Sequence, residues 1–277
     1  MRRVFGLIAA VISKAEELFT PKRPLVIGHR GYCGVAPENT LPSFQLALEA
    51  GARAIELDYR HSKDGVPMVI HDPVLDRTTD ARKRWRKRRI KVSQRAAAEI
   101  QTLDAGSWFN AKFAGAKVPR LDEALEFICG GGAITVIERK SGDPATLATL
   151  LSTRNLINKV IVISFDWKFL REFHALEPTQ ILGALGPPTR LSNGRKPVHM
   201  RRGLGARLKD LAKTGARIAV WNRKVSNGGI RAAHKHGLKV WVYTVDDGCL
   251  AQRLLRRGVN AIITNRITHI QKTLAKT

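Results

Sequence analysis

Leu25-Val-Ile-Gly-His-Arg-Gly31, Leu41-Pro-Ser-Phe-Gln-Leu-Ala-Leu-Glu-Ala-Gly51 and Ala54-Ile-Glu-Leu-Asp-Tyr-Arg60 follow one another in the chain. The first and third are short β-rich runs, and the second has apolar residues at helical spacing. Together they predict one strand–helix–strand unit. The pattern recurs downstream. Strand-like runs stand at Ile134–Lys140, Val160–Asp166, Gln180–Gly186, Arg217–Lys224, Lys239–Val245 and Ala261–Ile267. Amphipathic stretches lie between most of them, at Leu121–Ile128, Leu147–Leu151, Phe169–Leu176, Ile230–His236 and Leu250–Arg257. Gly51, Gly237 and Gly258 each stop a helix just ahead of the next strand. Eight strands with intervening helices predict an α/β fold, a closed parallel (β/α)8 TIM barrel. An open doubly wound sheet ranks second, because no Gly-rich dinucleotide fingerprint follows the first strand.

Residues 62–118 break the alternation. They carry another strand-like run, Pro67–His71, then a basic segment and Asp104-Ala-Gly-Ser-Trp-Phe109. The expected organisation is a barrel over 25–275, with a small inserted subdomain at about 62–118 after the second strand. A loop there lies at the C-terminal face, where barrel active sites sit. Residues 1–24 form a separate apolar, amphipathic segment. Its run from Val4 to Ile12 spans nine residues, against ~20 needed to cross a bilayer. Val4, Ile8, Val11, Ile12, Ala15, Leu18 and Phe19 fit a helix docked on its own domain. A membrane-surface helix is the second reading, and a signal-peptide core cut near Ser13 the third. The expected location is cytoplasmic, at the membrane periphery in the second reading and secreted in the third.

The 277 residues are enough for one such barrel, which runs to ~250. At 44% hydrophobic and 26% charged, the chain is neither disordered nor fibrous. Three cysteines argue against a disulfide framework. Lys and Arg number 48 against 23 acids, a net charge of +25. Such a chain attracts polyanions: phosphorylated substrates, anionic membranes or nucleic acid.

Candidate chemistry gathers at the strand ends. His29-Arg30 closes the first run. Glu56 and Asp58 close the second and, by the two-residue strand period, share a face. Glu138 and Lys140 share a face at the end of the next barrel strand. Carboxylates facing one another inside a barrel mouth repel unless a cation sits between them. Salt bridges to Lys or Arg would serve. So would a hard divalent ion, which prefers oxygen ligands, and the third acid favours the ion. His71 supplies a second imidazole, so proton removal and donation can be divided.

The chain resembles the glycerophosphodiester phosphodiesterases. The similarity rests on His29-Arg30-Gly31, Pro37-Glu38-Asn39-Thr40, Glu56-x-Asp58, Asp64-Gly65, His71-Asp72 and Leu75-Asp76-Arg77-Thr78-Thr79. It continues through Asp104-Ala-Gly-Ser-Trp-Phe109, Pro119-Arg-Leu121, Glu138-x-Lys140, Ser164-Phe165, Trp241-x-x-Thr244-Val245 and Ile262-Ile-Thr264. The resemblance implies hydrolysis of a glycerophosphodiester or lysophospholipid to an alcohol and glycerol 3-phosphate. It implies one divalent metal ion, Mg²⁺ or Ca²⁺, on Glu56, Asp58 and Glu138. It implies His29 and His71 as acid and base, and Arg30, Lys140 and Trp241 on the substrate. In the family picture the substrate's own hydroxyl attacks phosphorus, and water opens the cyclic phosphate. The alternatives are a phospholipase-type phosphodiesterase with a different product, and an inactive barrel that binds anionic lipid or nucleic acid.

Two differences from the family pattern stand out: Asp246 where Asn is usual, and Asn265 where Asp is frequent. A larger one is Arg82–Lys91, eight of whose ten residues are basic. It reads first as a solvated loop and second as an anionic-membrane patch with Trp85 at the interface. Nucleic acid, stacked on Trp85, is the least favoured partner. The loop 187–203 adds further basic residues, and the oligomeric state is left open.

Overall fold

The computed structural model describes residues 24–157, 159–199 and 203–275. The expectations for the N-terminal apolar stripe therefore lie outside the described residues. Among the described residues nine strands form one sheet: β1 (Leu25–Gly28), β2 (Ala54–His61), β3 (Pro67–Val69), β4 (Ile134–Arg139), β5 (Ile161–Ser164), β6 (Leu182–Gly186), β7 (Ile218–Asn222), β8 (Lys239–Tyr243) and β9 (Ala261–Thr264). The order β1-β9-β8-β7-β6-β5-β4-β2 closes through a β1–β2 pairing, and all eight of these strands run parallel. The chain is the expected TIM barrel. β3 adds antiparallel to β2.

Strand alternation builds two cores. One face of each strand fills the barrel, with Ile27, Ala54, Val136, Ile163, Val220 and Ile263 packed together. The other face carries Ile55, Leu57, Ile137 and Val162 against the surrounding helices. In chain order come α1 (Leu41–Glu49), then α2 (Ala81–Trp85) and α3 (Ala97–Gln101), which pack in a separate cluster after β2, then α4 (Leu121–Gly130), α5 (Pro144–Thr153) and α6 (Trp167–Leu176). After them come α7 (Leu208–Leu211), α8 (Asn227–Lys235), α9 (Gly248–Arg256) and α10 (Ile267–Leu274). Thr40, Asp143, Asp166, Ser226 and Asp247 cap α1, α5, α6, α8 and α9 by accepting a backbone N–H.

Two local differences from the sequence reading have physical causes. The first run stops at Gly28 rather than Gly31, because Arg30 and Gly31 take φ of 53° and 84° and turn the chain. A Cβ on Gly31 would lie 2.4 Å from Ser43 Oγ, so this turn needs glycine. Between β6 and β7 the helical layer shrinks to α7, four residues flanked by 3-10 turns.

The segment between β2 and α4 has its own apolar cluster, including Met68, Leu75, Ile90, Val92, Ile100 and Leu103. The basic run is built into it. α2 holds its first half, Val74 bridges Lys91, and the Asp76 carboxylate accepts the N–H groups of Arg89 (2.6 Å) and Ile90 (3.0 Å). Trp85 is not presented to solvent as a free ring. It packs on this cluster, with the Arg95 guanidinium 4.3 Å from the ring centroid. No helix among the described residues is long and apolar enough to cross a membrane.

Candidate active site

Ala54 points into the barrel, so alternation sends Glu56 and Asp58 inward as well. Val136 does the same for Glu138 on β4, and Asp58 and Glu138 are register partners on adjacent parallel strands. The three carboxylates therefore converge at the C-terminal mouth. One oxygen from each lies within 4.8 Å of the others, and all three residues are buried. Among the described residues no other cluster of this kind occurs.

Two cations partly compensate them. Arg30 Nε lies 3.1 Å from Asp58 Oδ2, and Lys140 Nζ lies 3.2 Å from Asp58 Oδ1 and against Glu138 Oε1. Asn39 clamps Asp58 from below, donating Nδ2 to Oδ2 (2.9 Å) and accepting the Asp58 N–H (3.1 Å). Burial opposes ionisation of Asp58, but Lys140 and Arg30 prevail and hold it at about 2. The other two acids are not matched. Burial and the Asp58 charge push Glu138 up to about 7. Burial, Asp58 and Glu138 push Glu56 well above the carboxylate range. Glu56 Oε2 accepts the Arg30 N–H, while its Oε1 is buried with no hydrogen-bond partner. An orphaned carboxylate oxygen facing two other acids is a donor set short of one cation, and all-oxygen ligation suits Mg²⁺ or Ca²⁺.

The imidazoles have different partners. His29, beyond the end of β1, has Nδ1 2.6 Å from Asn265 Oδ1. Asn265 is oriented by Asp246, whose Oδ2 accepts its Nδ2 (2.7 Å) and whose Oδ1 accepts its backbone N–H (2.7 Å). Burial pushes the Cys33 thiol up to about 12, so it stays protonated and donates to Asn265 Oδ1 (2.9 Å). The amide oxygen thus faces His29, which donates from Nδ1 and keeps a bare Nε2. Burial, then the charge of Arg30, lowers His29 to about 4.

His71 follows β3 and sets Nδ1 2.7 Å from Asp72 Oδ1. Burial lowers it as well, opposed by the charge of Asp58. Asp72 is gripped by Arg77, Arg77 also grips Glu38, and Glu38 accepts from Arg30. This chain of alternating charges joins the inserted segment to the barrel rim.

Of the expected site residues, Glu56, Asp58, Glu138, Arg30, Lys140, His29 and His71 meet at one mouth. Trp241 does not. It is 2% exposed and packs in the barrel interior. Two residues on, along the same face of β8, Tyr243 reaches the rim, stacks edge-on with Phe165 and donates to Gly186 O (2.9 Å). Sequence reasoning gave no role to Asn39, Asn265 or Asp246. Their signal was present in motif positions, but the contacts they make span up to 236 residues of chain.

The sequence profile of the glycerophosphoryl diester phosphodiesterase family matches residues 29–269. A glycerophosphodiester phosphodiesterase of Bacillus subtilis is 32% identical over 284 aligned residues, covering 94% of this chain and 91% of its own. The crystal structure of a glycerophosphodiester phosphodiesterase from Agrobacterium tumefaciens superposes with a TM-score of 0.73 at 32% identity, covering 90% of this chain and 99% of the other. An Oleispira antarctica phosphodiesterase, solved in complex with the product sn-glycerol-3-phosphate, gives a TM-score of 0.78 at 27% identity, covering 91% and 97%.

Proposed function

The chain belongs to the glycerophosphoryl diester phosphodiesterase family, and on that premise we propose that it hydrolyses a glycerophosphodiester to an alcohol and glycerol 3-phosphate, or a lysophospholipid to an alcohol and the acylated glycerol 3-phosphate. The observation that carries this reading is the buried trio Glu56, Asp58 and Glu138 at the barrel mouth, with His29 and His71 both in electrostatic range of Asp58. Glu56, Asp58 and Glu138 would hold one divalent ion, Mg²⁺ or Ca²⁺. When bound, that ion polarises phosphoryl oxygens and offsets the charge developing on them.

The remaining chemistry belongs to the side chains. His29 is neutral at pH 7 with Nε2 bare, which suits a base. His71 faces the Asp72 carboxylate, which stabilises an imidazolium, and it suits the acid. Arg30 and Lys140 place positive charge beside the carboxylates, where a phosphodiester would lie. Tyr243 and Phe165 wall the rim on the β5–β8 side.

The test is a substrate panel from soluble glycerophosphodiesters to lysophospholipids, with products identified by mass and each reaction repeated in excess chelator. Glycerol 3-phosphate (acylated from a lysophospholipid) and free alcohol, lost on chelation and restored by metal, support the reading. A phosphorylated alcohol with free glycerol would assign the chain a phospholipase-type cleavage instead.

A further inference from the structure

We propose that the basic face of the inserted segment is a docking surface for an anionic phospholipid bilayer, positioned to hold the barrel mouth against it. All eight cations of residues 82–91 are exposed, and among the described residues none of them enters an ion pair. Eight like charges held together repel one another unless an external anion compensates them. The structure nevertheless fixes them. The Asp76 carboxylate binds the backbone of Arg89 and Ile90, Leu75 N–H donates to Ile90 O (2.9 Å), and Val74 bridges Lys91.

The same short stretch reaches the mouth. Asp72 and Arg77, on either side of Val74–Asp76, belong to the charged chain that runs from His71 to Arg30. A surface that captures a polyanion therefore lies beside the substrate entrance.

A bilayer fits this surface better than nucleic acid does. Single-stranded nucleic-acid grooves pair cations with aromatic platforms on which bases stack, whereas a duplex is held by phosphate contacts alone and is set against the bilayer in the test below. The one aromatic of the run, Trp85, is packed on the segment's apolar cluster and covered by Arg95. The exposed ring nearby is Trp108, 40% exposed, on a turn tied to the residue before α2. That tie is Asp80 N–H to Asp104 O (2.9 Å) and Asp104 N–H to Asp80 Oδ1 (2.8 Å). This ring packs edge-on with Phe109, and a partly exposed amphipathic ring beside a cationic patch suits a lipid interface. The choice of lipid also rests on the proposed substrate class, whereas the presence of the charged surface does not.

The experiment is co-sedimentation of the full chain with phosphatidylcholine vesicles, with and without phosphatidylserine, over a salt series. The variant is Arg82→Gln, Lys83→Gln, Lys87→Gln and Arg88→Gln, which spares the positive-φ positions Arg86 and Arg89. Each charge near an anionic surface is worth roughly fivefold in partitioning, so losing four lowers it by roughly 600-fold. Four exposed cations elsewhere, Lys209, Lys213, Arg231 and Lys235, are changed to Gln as a charge-matched control. A charge-preserving variant, Arg82→Lys, Lys83→Arg, Lys87→Arg and Arg88→Lys, checks that the fold survives. The proposal expects wild type, the control and the charge-preserving variant to bind phosphatidylserine vesicles with steep salt dependence. The first variant should not bind, and all four proteins should turn over a soluble diester alike. No binding by wild type at low salt, equal loss in the control, or displacement of vesicles by equimolar mixed-sequence duplex DNA would overturn it. Absence of diester turnover would count against the proposed activity and leave the vesicle result standing.

Discussion

Asn265 holds His29 through an amide oxygen, 2.6 Å from Nδ1, and Asp246 holds Asn265 through a carboxylate, 2.7 Å from Nδ2. The negative charge is thus one residue removed from the imidazole. Asp246 fixes which end of the amide faces His29, and the amide fixes the tautomer without lending the imidazolium a counter-ion. Read from the sequence, the family resemblance makes Asp246 and Asn265 two separate departures from the expected pattern. The structure makes them one exchange between hydrogen-bonded partners.

Exchanging them back tests this. In Asp246→Asn/Asn265→Asp the hydrogen bonds can re-form, but a carboxylate now faces His29. An opposite charge at that distance favours the protonated imidazole, so the His29 pKa rises from about 4. If His29 acts as the base, the acidic limb of kcat/KM moves to higher pH, by about one to three pH units. Asn265→Asp alone sets two carboxylates together and should be less stable than the double variant. An acidic limb that stays in place in a folded double variant would remove His29 from the role of base.

The carboxylate trio predicts how stability responds to pH and metal. Glu138 at about 7 and Glu56 above its usual range both lie above their ordinary 4.5. For a raised carboxyl, the protonated form favours the folded state. That contribution is full below about 4.5 and is lost as pH rises through the folded values. Chelated protein should therefore lose Tm between pH 5 and 8. Saturating Mg²⁺ or Ca²⁺ should restore it, with a gain that grows with pH and reaches about 5–10 °C at 100 times Kd. In Glu56→Gln the repulsion is relieved, so the chelated variant should be more stable than wild type at pH 8 while its metal-induced gain shrinks. A metal-induced gain that is the same at pH 5 and pH 8 would contradict this account.

The barrel and its acids were legible because both depend on a two-residue period. Ala54, Glu56 and Asp58 read as one face in the sequence, and the strand points all three into the barrel. The same period put Glu138 on that face, whereas Trp241 came from the family resemblance alone. Alternation gives the face of a residue but not its depth, and depth depends on where the neighbouring strands end. Trp241 therefore packs in the interior, and Tyr243 takes the rim. The partners of the acids were not legible. Arg30 and Lys140 looked free to take a phosphate, and each is already committed to Asp58. No local pattern reports a hydrogen bond between His29 and Asn265 across 236 residues.

His71 is predicted to matter through its partner as well as by itself. His71→Ala should lower kcat by about 10²–10⁴-fold, the range for a lost acid or base. Asp72→Asn keeps a hydrogen-bond acceptor at Nδ1 and removes the charge that stabilises the imidazolium. It should lower the upper pH limit of activity, because an acid with a lower pKa is deprotonated sooner. Arg77 would then retain only Glu38 as a charged partner. An unchanged alkaline limb in Asp72→Asn would argue that His71 is not the acid.

Asn39 is predicted to act on the metal without touching it. Its side chain makes two hydrogen bonds to Asp58, one to the carboxylate and one to the backbone. It takes φ of 58°, which Asn tolerates better than residues with larger or branched side chains. Asn39→Ala leaves the buried Asp58 N–H without its acceptor, at about 1–3 kcal/mol. It also frees the Asp58 carboxylate to rotate toward Arg30 and Lys140. Loss of such an orienting partner typically weakens metal binding about 10–100-fold. The metal concentration at half-maximal Tm gain should rise by that factor, and kcat at saturating metal should fall much less. Asn39→Gly, which fits the backbone but lacks the amide, should show the same metal defect with less backbone strain. Normal metal affinity in the glycine variant would show that Asn39 serves only the turn.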